Sequence, residues 1–546
     1  MRIGIVWGMV IGWGTVLAAE PCLEYVYPAG VCADSACEVE IGGTHLGNVT
    51  QAVISGEGVK AFFLGPVRTV TRNQKGREVP VVLPDRYRFR VVADPEAAPG
   101  IRALRVATAH HLSEPVRFEV GTMSESSEPA TLRTETGEVV LSNLPACLNG
   151  RCHGRGADVY RFRAAPGSAV VAFVESRTVS ANGFVPALTF TDAAGKPCAN
   201  MKAYDGEDAP VLVLEVREEG EYRLLVAAGS DAEGGDGCVY RIKLGALPLV
   251  TGLTPDRARE GESLNVRLAG HNLARSRLRL FTGGKDSARC LATLTEGALA
   301  LPSLRFDLAN EAQAPGFEAT LTPASLNIPP DGSALVRVEV RRRNGFEGAV
   351  RVELDFPPLS IASQGGLIPA GESFCLMTVS TDGARYPRTV FSLPLTATAE
   401  INGQPVKRPV VPVRQREGNT AARPQSFDES AARVNPTLYA LHLNVAPRKP
   451  LSLSTGKPME LMMISSTLAA RLGNGCKTVV VWPERGITVQ DVQRTNRQER
   501  ARVMLRTDPS VLQAGASGYL ILGCVEKKAP KGPVMAVTQS VPFTVK

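Results

Sequence analysis

The stretch Tyr27–Gly47, "YPAGVCADSACEVEIGGTHLG", decides how the rest of the chain is read. Cys32 and Cys37, with His45 close by, could open a metal or redox site. The same letters could instead be a turn feeding a β-strand. An ungapped internal comparison separates the two readings. Laying Pro28–Leu46 on Pro255–Leu273 sets Pro28 on Pro255, Val39 on Val266, Ile41 on Leu268, Gly43 on Gly270 and Leu46 on Leu273. Cys37 falls on Leu264 and so continues the alternation Cys37, Val39, Ile41 along one strand face. His45 falls on Asn272, in the turn that follows. A metal would need a third and fourth ligand that the segment does not supply. The stretch reads as a strand entry, with Cys37 packing as a small hydrophobe or bridging to Cys22 or Cys32.

Compartment follows from the first residues. "MRIGIVWGMVIGWGTVLAAEPC" has one basic residue, an apolar run from Ile3 to Leu17, then Ala18-Ala19. That is the form of a secretory signal peptide, residues 1–19. The run is shorter than the ~20 residues of a spanning helix. No later stretch is apolar enough to span, so no integral membrane span is expected. The expected place is exported: periplasm, cell surface or extracellular space. Eleven cysteines then sit where disulfides persist, and the odd count leaves at least one outside any internal pair.

The 546 residues point to several domains. "RYRFRVVAD", "VVAFVES", "VLVLEV", "EYRLLVAA", "ALVRVEVRRR" and "GYLILGC" alternate or run apolar over strand lengths, with Gly, Pro, Asn and Asp between them. No long amphipathic helix emerges. The expected fold class is all-β, a tandem of β-sandwiches.

The two aligned segments resemble the opening strands of immunoglobulin-like TIG/IPT domains, with their "P…G…V…G…L" pattern. The first runs on through "APGIRALRVATAHHLSEPVRFEVG" to Gly121. Next, "LPACLNGRCHGRGADVYRFRAAPGSAVVAFV" is similar to the first strands of a pre-peptidase C-terminal (PPC) domain, Asp158 to Phe162 matching its "DVYRF" core. "PALTFTDAAGKPCA", "EEGEYRLLVAA" and "CVYRIKLG" resemble its later strands. The resemblance covers residues 22 to 275 and is structural rather than catalytic. Some members of the PPC family bind calcium or help a protease hold its substrate. Asp158 and Asp192 match family positions, but no clustered Asp/Asn loop accompanies them. The expected order is 1–19 signal peptide, 20–121 TIG/IPT-like, 122–247 PPC-like and 248–317 a second TIG/IPT-like domain. An immunoglobulin-like sandwich at 318–415, a linker at 416–436 and a basic β-sandwich at 437–546 complete it.

"CLNGRCH", Cys147 to His153, carries the sharpest chemical pattern. Asn149-Gly150 favours a type I′ hairpin that would place Cys147 opposite Cys152, within disulfide reach. The competing readings are a covalently attached haem with His153 as ligand, and free thiols. Cys198 with Cys238, and Cys476 with Cys524, are further expected bridges within single domains.

In the second half, "ALVRVEVRRRNGFEGAVRVELDF" reads as two strands joined at Asn344-Gly345, with Val336, Val338 and Val340 inward. Arg341 to Arg343 read as a solvated strand end or an anion site. Charge is uneven: the formal net is +7, yet residues 437 to 546 hold fifteen Lys and Arg against six Asp and Glu. "RTNRQERARVMLR" contributes Arg494, Arg497, Arg500, Arg502 and Arg506. On a strand, Arg500, Arg502 and Arg506 share one face while Val503 and Leu505 face the core. Such a face attracts acidic polymers, or is simply solvated.

Enzyme signatures are absent: no G-x-S-x-G, H-E-x-x-H or phosphate-binding loop. His110-His111 reads as a solvated turn rather than part of a metal or proton-transfer site. The expectation is an exported, non-enzymatic binding or scaffold protein of the cell envelope, with no cofactor and an envelope polysaccharide or protein as ligand. An accessory substrate-binding role beside a secreted peptidase or glycoside hydrolase is the alternative. A haem redox protein is a third.

Overall fold

The computed structural model describes residues 21–546 apart from 73–77, 109–110, 128–136, 153–155, 168, 177–178, 180–185, 202–210, 229–234, 256–262, 274–275, 282–294, 297–298, 301–314, 382–385, 415–424, 436–442, 447–449, 466–475, 496–499 and 529–533. The signal segment lies outside these residues. The protein is all-β, with no helix among the described residues. Accordingly, no helix there is long and apolar enough to cross a membrane.

The first sandwich packs a sheet of Cys22–Tyr27, Ser35–Thr44, Glu78–Ala93 and Val59–Arg72 on a second sheet. The second contains Gly30–Cys32, Val116–Gly121, Gly100–Ala107 and Gln51–Ile54. Leu23, Val39, Ile41, Phe89, Val91, Val106 and Phe118 fill the space between. Val39 and Ile41 are buried as the alternation requires, and Cys37 is half-buried one step before them. Burial pushes its thiol up to about 12.

The internal repeat extends to hydrogen-bond register. Cys22 pairs Thr44 and Leu23 pairs Gly43; Leu249 pairs His271 and Val250 pairs Gly270, each couple 227 residues on. Both ladders then slip at the equivalent place. Glycine is needed there, because a Cβ on Gly43 would strike the Cys22 carbonyl, and one on Gly270 the Leu249 carbonyl.

In the second sandwich, Ala169–Glu175 and Val239–Gly245 are buried at every position. One face lines its own core with Leu148, Tyr160, Phe162, Phe190 and Leu224. The other face is covered by Met123, Leu247 and Leu249 and by a buried charge cluster. There Arg241, 1% exposed, meets Glu119 from the end of the first sandwich, and Glu125 (2.6 Å) and Glu175 (3.1 Å) from its own sheet. Lys243 reaches Glu119 at 2.7 Å.

The first sandwich also docks on the strands running from Gly316–Thr322 to Ala431–Val434, the fourth unit in the expected order. Arg105, 1% exposed, donates to Ser325 Oγ (2.8 Å) and to the Ala324 and Glu429 carbonyls. Glu114 accepts the amides of Ala324 and Ser325. Burial raises the Glu114 carboxyl above its ordinary range.

Ser333–Arg343 and Val350–Leu354 are joined through the Asn344-Gly345 turn, both residues at positive φ, with Val336, Val338 and Val340 inward as expected. Ser333–Arg343 pairs with Gly316–Thr322 and Phe374–Thr381. One expectation needs correction. Residues 425–436 were expected in the linker, yet Gln425–Ser426 pairs with Gln404–Arg414, and Ala431–Val434 pairs with Ser325–Ile328. Phe427, Ala431, Ala432 and Val434 are buried there: four apolar side chains suffice to hold a segment that is polar on average. Residues 416–424 and 436 lie outside the described residues.

The fourth and last units are joined edge to edge. Ser333 pairs Val537, so the sheets of the two modules run into one another.

Candidate functional site

Cys147 and Cys152 do not face one another. Asn149-Gly150 lies inside the Ala146–Arg151 strand, paired along its length with Val239–Gly245. Five residues of extended chain put the two Cα atoms roughly 16 Å apart, far beyond disulfide reach. Cys147 packs with Met123, Val171 and Leu247, and Cys152 with the second sandwich's core. The local disulfide is excluded, and so is a haem held by both thiols; His153 lies outside the described residues. The reason is tertiary. Asn149 Oδ1 accepts the Ala29 amide (3.0 Å) and its Nδ2 donates to Glu125 (2.9 Å), while Gly150 leaves room for the Tyr240 ring. The pair serves a contact between sandwiches, and that contact outweighs its turn preference.

Cys152 stands beside Cys238 instead. The ladder's register continues to this pair, the Cys152 amide donates to the Cys238 carbonyl at 3.0 Å, and both side chains enter one core. Cys198 is exposed on Pro197–Met201, in the sandwich's other sheet, so the structure does not arrange it against Cys238. Cys476 and Cys524 lie on paired strands two residues out of register, both buried. Burial, then the neighbouring Cys476, pushes the Cys524 thiol up to about 12.

Asp158 accepts the Tyr240 hydroxyl, and Asp192 accepts the amides of Ala194 and Lys196; both are occupied in turns and packing. Arg342 donates to the Gly348 and Pro369 carbonyls and Arg343 pairs Glu318, which ties down that strand end. His111 is buried, its amide bonded to Thr108 Oγ1; His110 lies outside the described residues. Among the described residues no group of three His, Cys, Asp or Glu is placed to hold a metal.

Of the five candidate arginines, Arg500, Arg502 and Arg506 share the exposed row as expected, with Ala501, Val503 and Leu505 buried between them. Glu460 pairs Arg502 (3.4 Å), and exposed Asp491 sits opposite Met504 in the same row. Arg494 lies opposite Ala501, in register with the buried row, and Arg497 lies outside the described residues. The face is smaller and more mixed than its composition implies.

The seam between the fourth and last units holds a cleft of about 300 Å³. Val350–Leu354 contributes exposed Arg351 and Glu353 to its rim; Ile361–Gln364 and Gly365-Gly366 form one wall; Tyr519 and Gln539–Pro542 form the other. A single residue links the walls. Thr378 stands opposite Gln364 in the ladder, and its Oγ1 accepts the Ser540 amide (2.8 Å). Gln539 is fixed by two bonds to the Val445 backbone. Gly365, at φ +88°, lets the walls approach, since a Cβ there would collide with Ser540 Oγ. Two polar atoms of the cleft, Gln364 Oε1 and Ser540 Oγ, are buried and make no hydrogen bond among the described residues. Buried polar atoms are ordinarily paired, and these two are among twelve side-chain atoms of the described residues that are not. Chemically this is an acceptor, a hydroxyl, a phenol ring and a charged rim converging on one space. Sequence reasoning missed it because its residues come from segments up to 191 positions apart and no local motif joins them.

No family model matches this chain, and no curated protein matches it. Among solved structures it is similar to a protein of unknown function from Porphyromonas gingivalis W83, at 12% identity over 42% of this chain and 99% of that one, TM-score 0.15. Clostridium thermocellum CbhA fibronectin(III)-like modules align at 8% identity over 42% of this chain and 92% of theirs, TM-score 0.12. E. coli alpha-2-macroglobulin aligns at 11% identity over 96% of this chain and 46% of that one, TM-score 0.14.

Proposed function

We propose that the protein is exported and acts as a non-catalytic binding and scaffold protein of the cell envelope, holding a hydroxyl-rich stretch of envelope polysaccharide in the cleft between its fourth and last units. The observation that carries this is the pair Gln364 Oε1 and Ser540 Oγ, two buried, unbonded polar atoms on opposite walls of one cleft. A sugar hydroxyl donates to the first and exchanges hydrogen bonds with the second, and Tyr519 offers an apolar ring face. Export rests on the segment Met1–Ala19 and its apolar run. The TIG/IPT-like and PPC-like reading of residues 22 to 275 belongs to this proposal too. The shared register and glycine requirement of the two repeats support it.

The test is a glycan array followed by calorimetry of the full-length secreted protein with soluble envelope polysaccharide fragments. Saccharide binding should weaken about tenfold or more in Gln364→Ala/Ser540→Ala, each lost hydrogen bond contributing about 1 kcal/mol. The melting temperature should stay close to the parent's. Equal affinity of parent and variant, or no retained saccharide, would overturn the reading.

A further inference from the structure

Val59–Arg72 and Glu78–Ala93 form a long antiparallel ribbon at the edge of the first sandwich. Its proximal half is anchored through Phe89 and Val91 in the core. The ladder is then interrupted: Pro66 pairs Tyr87 and Arg68 pairs Val82, so Val67 alone spans four residues of the other strand. Asp85, at φ 54°, sits in that interruption, and its carboxylate accepts the Leu46 amide at 2.8 Å. Beyond it the ribbon has only two strands, Arg68–Arg72 against Glu78–Val82, with no third strand on either side among the described residues.

Five large apolar side chains stand exposed along this ribbon: Phe62 (52%), Phe63 (42%), Leu64 (46%), Val81 (39%) and Val82 (51%). Consecutive exposed positions mean that both faces meet solvent, where a sandwich strand would hide every second residue. An exposed apolar run of this kind marks an interaction surface. The charges around it are mostly positive. The two strands carry six Lys and Arg against Glu78 and Asp85. Asp85 is engaged with Leu46 and Arg86 with Asp236, while Lys60, Arg68, Arg88 and Arg90 are exposed. On the neighbouring strand, exposed Glu38 stands opposite Arg90, and Glu40, opposite Arg88, is engaged with Tyr25 and Arg151.

We infer that this ribbon docks the protein on an anionic lipid surface. Apolar side chains enter the boundary between headgroups and acyl chains, and the interleaved cations meet lipid phosphates. Charge complementarity selects this occupant: a second copy would bring an equally basic ribbon and be repelled. The role is separate from the cleft, which lies in the other half of the chain, so either reading can fail alone.

The experiment is flotation of the full-length secreted protein with vesicles of phosphatidylglycerol and phosphatidylcholine, against phosphatidylcholine alone. The anionic vesicles should retain about tenfold more protein, and added salt should release it as the Debye length shrinks. Phe62→Ser/Leu64→Ser and, separately, Arg68→Ala/Arg90→Ala should each lower retention about tenfold, with melting curves matching the parent. Phe62→Trp should shift its emission to the blue on anionic vesicles. Equal binding to neutral vesicles, undiminished retention of both double variants, or an unshifted Phe62→Trp emission would overturn the inference. So would a lipid-free dimer in sedimentation that Phe62→Ser/Leu64→Ser abolishes, which would make a second copy the occupant.

Discussion

Glu119 and Glu175 face Arg241 from two different sandwiches, and their carboxyls titrate in opposite directions. Burial favours the neutral form of both. Arg241 and Lys243 overcome it at Glu119 and hold that carboxyl down, whereas burial and the Glu119 charge push Glu175 up to about 7. Glu125 and the protonated Cys147 thiol complete the surroundings. The folded state therefore keeps a proton on Glu175 that the unfolded chain releases near pH 4.5. Stability should fall as pH rises from about 4.5 to about 7 and level off above, by no more than about 3 kcal/mol. Glu119 works the other way, and its contribution is lost as pH drops below about 4.5. Thermal melting across this range should show both limbs, and Glu175→Gln should flatten only the neutral one. Arg241→Met strands buried carboxylates and should cost about 3–5 kcal/mol in urea unfolding. None of these partners was legible in the sequence: "CVYRIKLG" shows Arg241 and Lys243 as the outward residues of an ordinary strand. What covers that outward face comes from 122 residues earlier.

Among the elements, paired strands fix which thiols can meet. Cys152 and Cys238 face each other across the ladder, about 5.5 Å apart at Cα for a cross-strand pair of this kind. In an oxidising compartment, thiol–disulfide exchange with a disulfide oxidant should join them, the two thiols giving up two protons and two electrons to it. Non-reducing peptide mapping should recover this bridge, and Cys152→Ala/Cys238→Ala should lose up to roughly 4 kcal/mol through the long loop it closes. Recovery of Cys152 and Cys238 in separate, unlinked peptides would refute the pairing. The paired glycines give a second check. Gly43→Ala and Gly270→Ala each press a methyl group on a backbone carbonyl and should destabilise their own sandwich by about 2 kcal/mol or more, read by denaturant melts. The repeat was legible because apolar alternation and two glycines survive at a fixed spacing. Asn149-Gly150 was misread because its local preference is real but weaker than the bonds to Ala29 and Glu125. The basic strand was half legible: alternation placed Arg500, Arg502 and Arg506 correctly, while Glu460 arrives from a neighbouring strand.

On the scale of the whole molecule, the first sandwich is wedged between the second and the fourth, so the chain doubles back. Composition did not reveal this return, which depends on a few polar bonds between Arg105, Glu114 and residues 324–429. Arg105→Ala/Glu114→Gln should release that contact. Small-angle scattering should then report a larger radius of gyration, while each sandwich keeps its circular-dichroism signature. An unchanged radius would show that the apolar contacts of Ala103, Ala324 and Phe427 suffice.

Strands Ala169–Glu175 and Val239–Gly245 are buried on both faces, and this bears on how such a chain can evolve. A self-sufficient bead can be excised, copied or inserted elsewhere by recombination with little harm. The second sandwich cannot travel that way, because separation would strip Arg241 and Lys243 of Glu119 and uncover that end of the sheet. Its inheritance is tied to the first sandwich, and gene rearrangements that persist should move the two as one block.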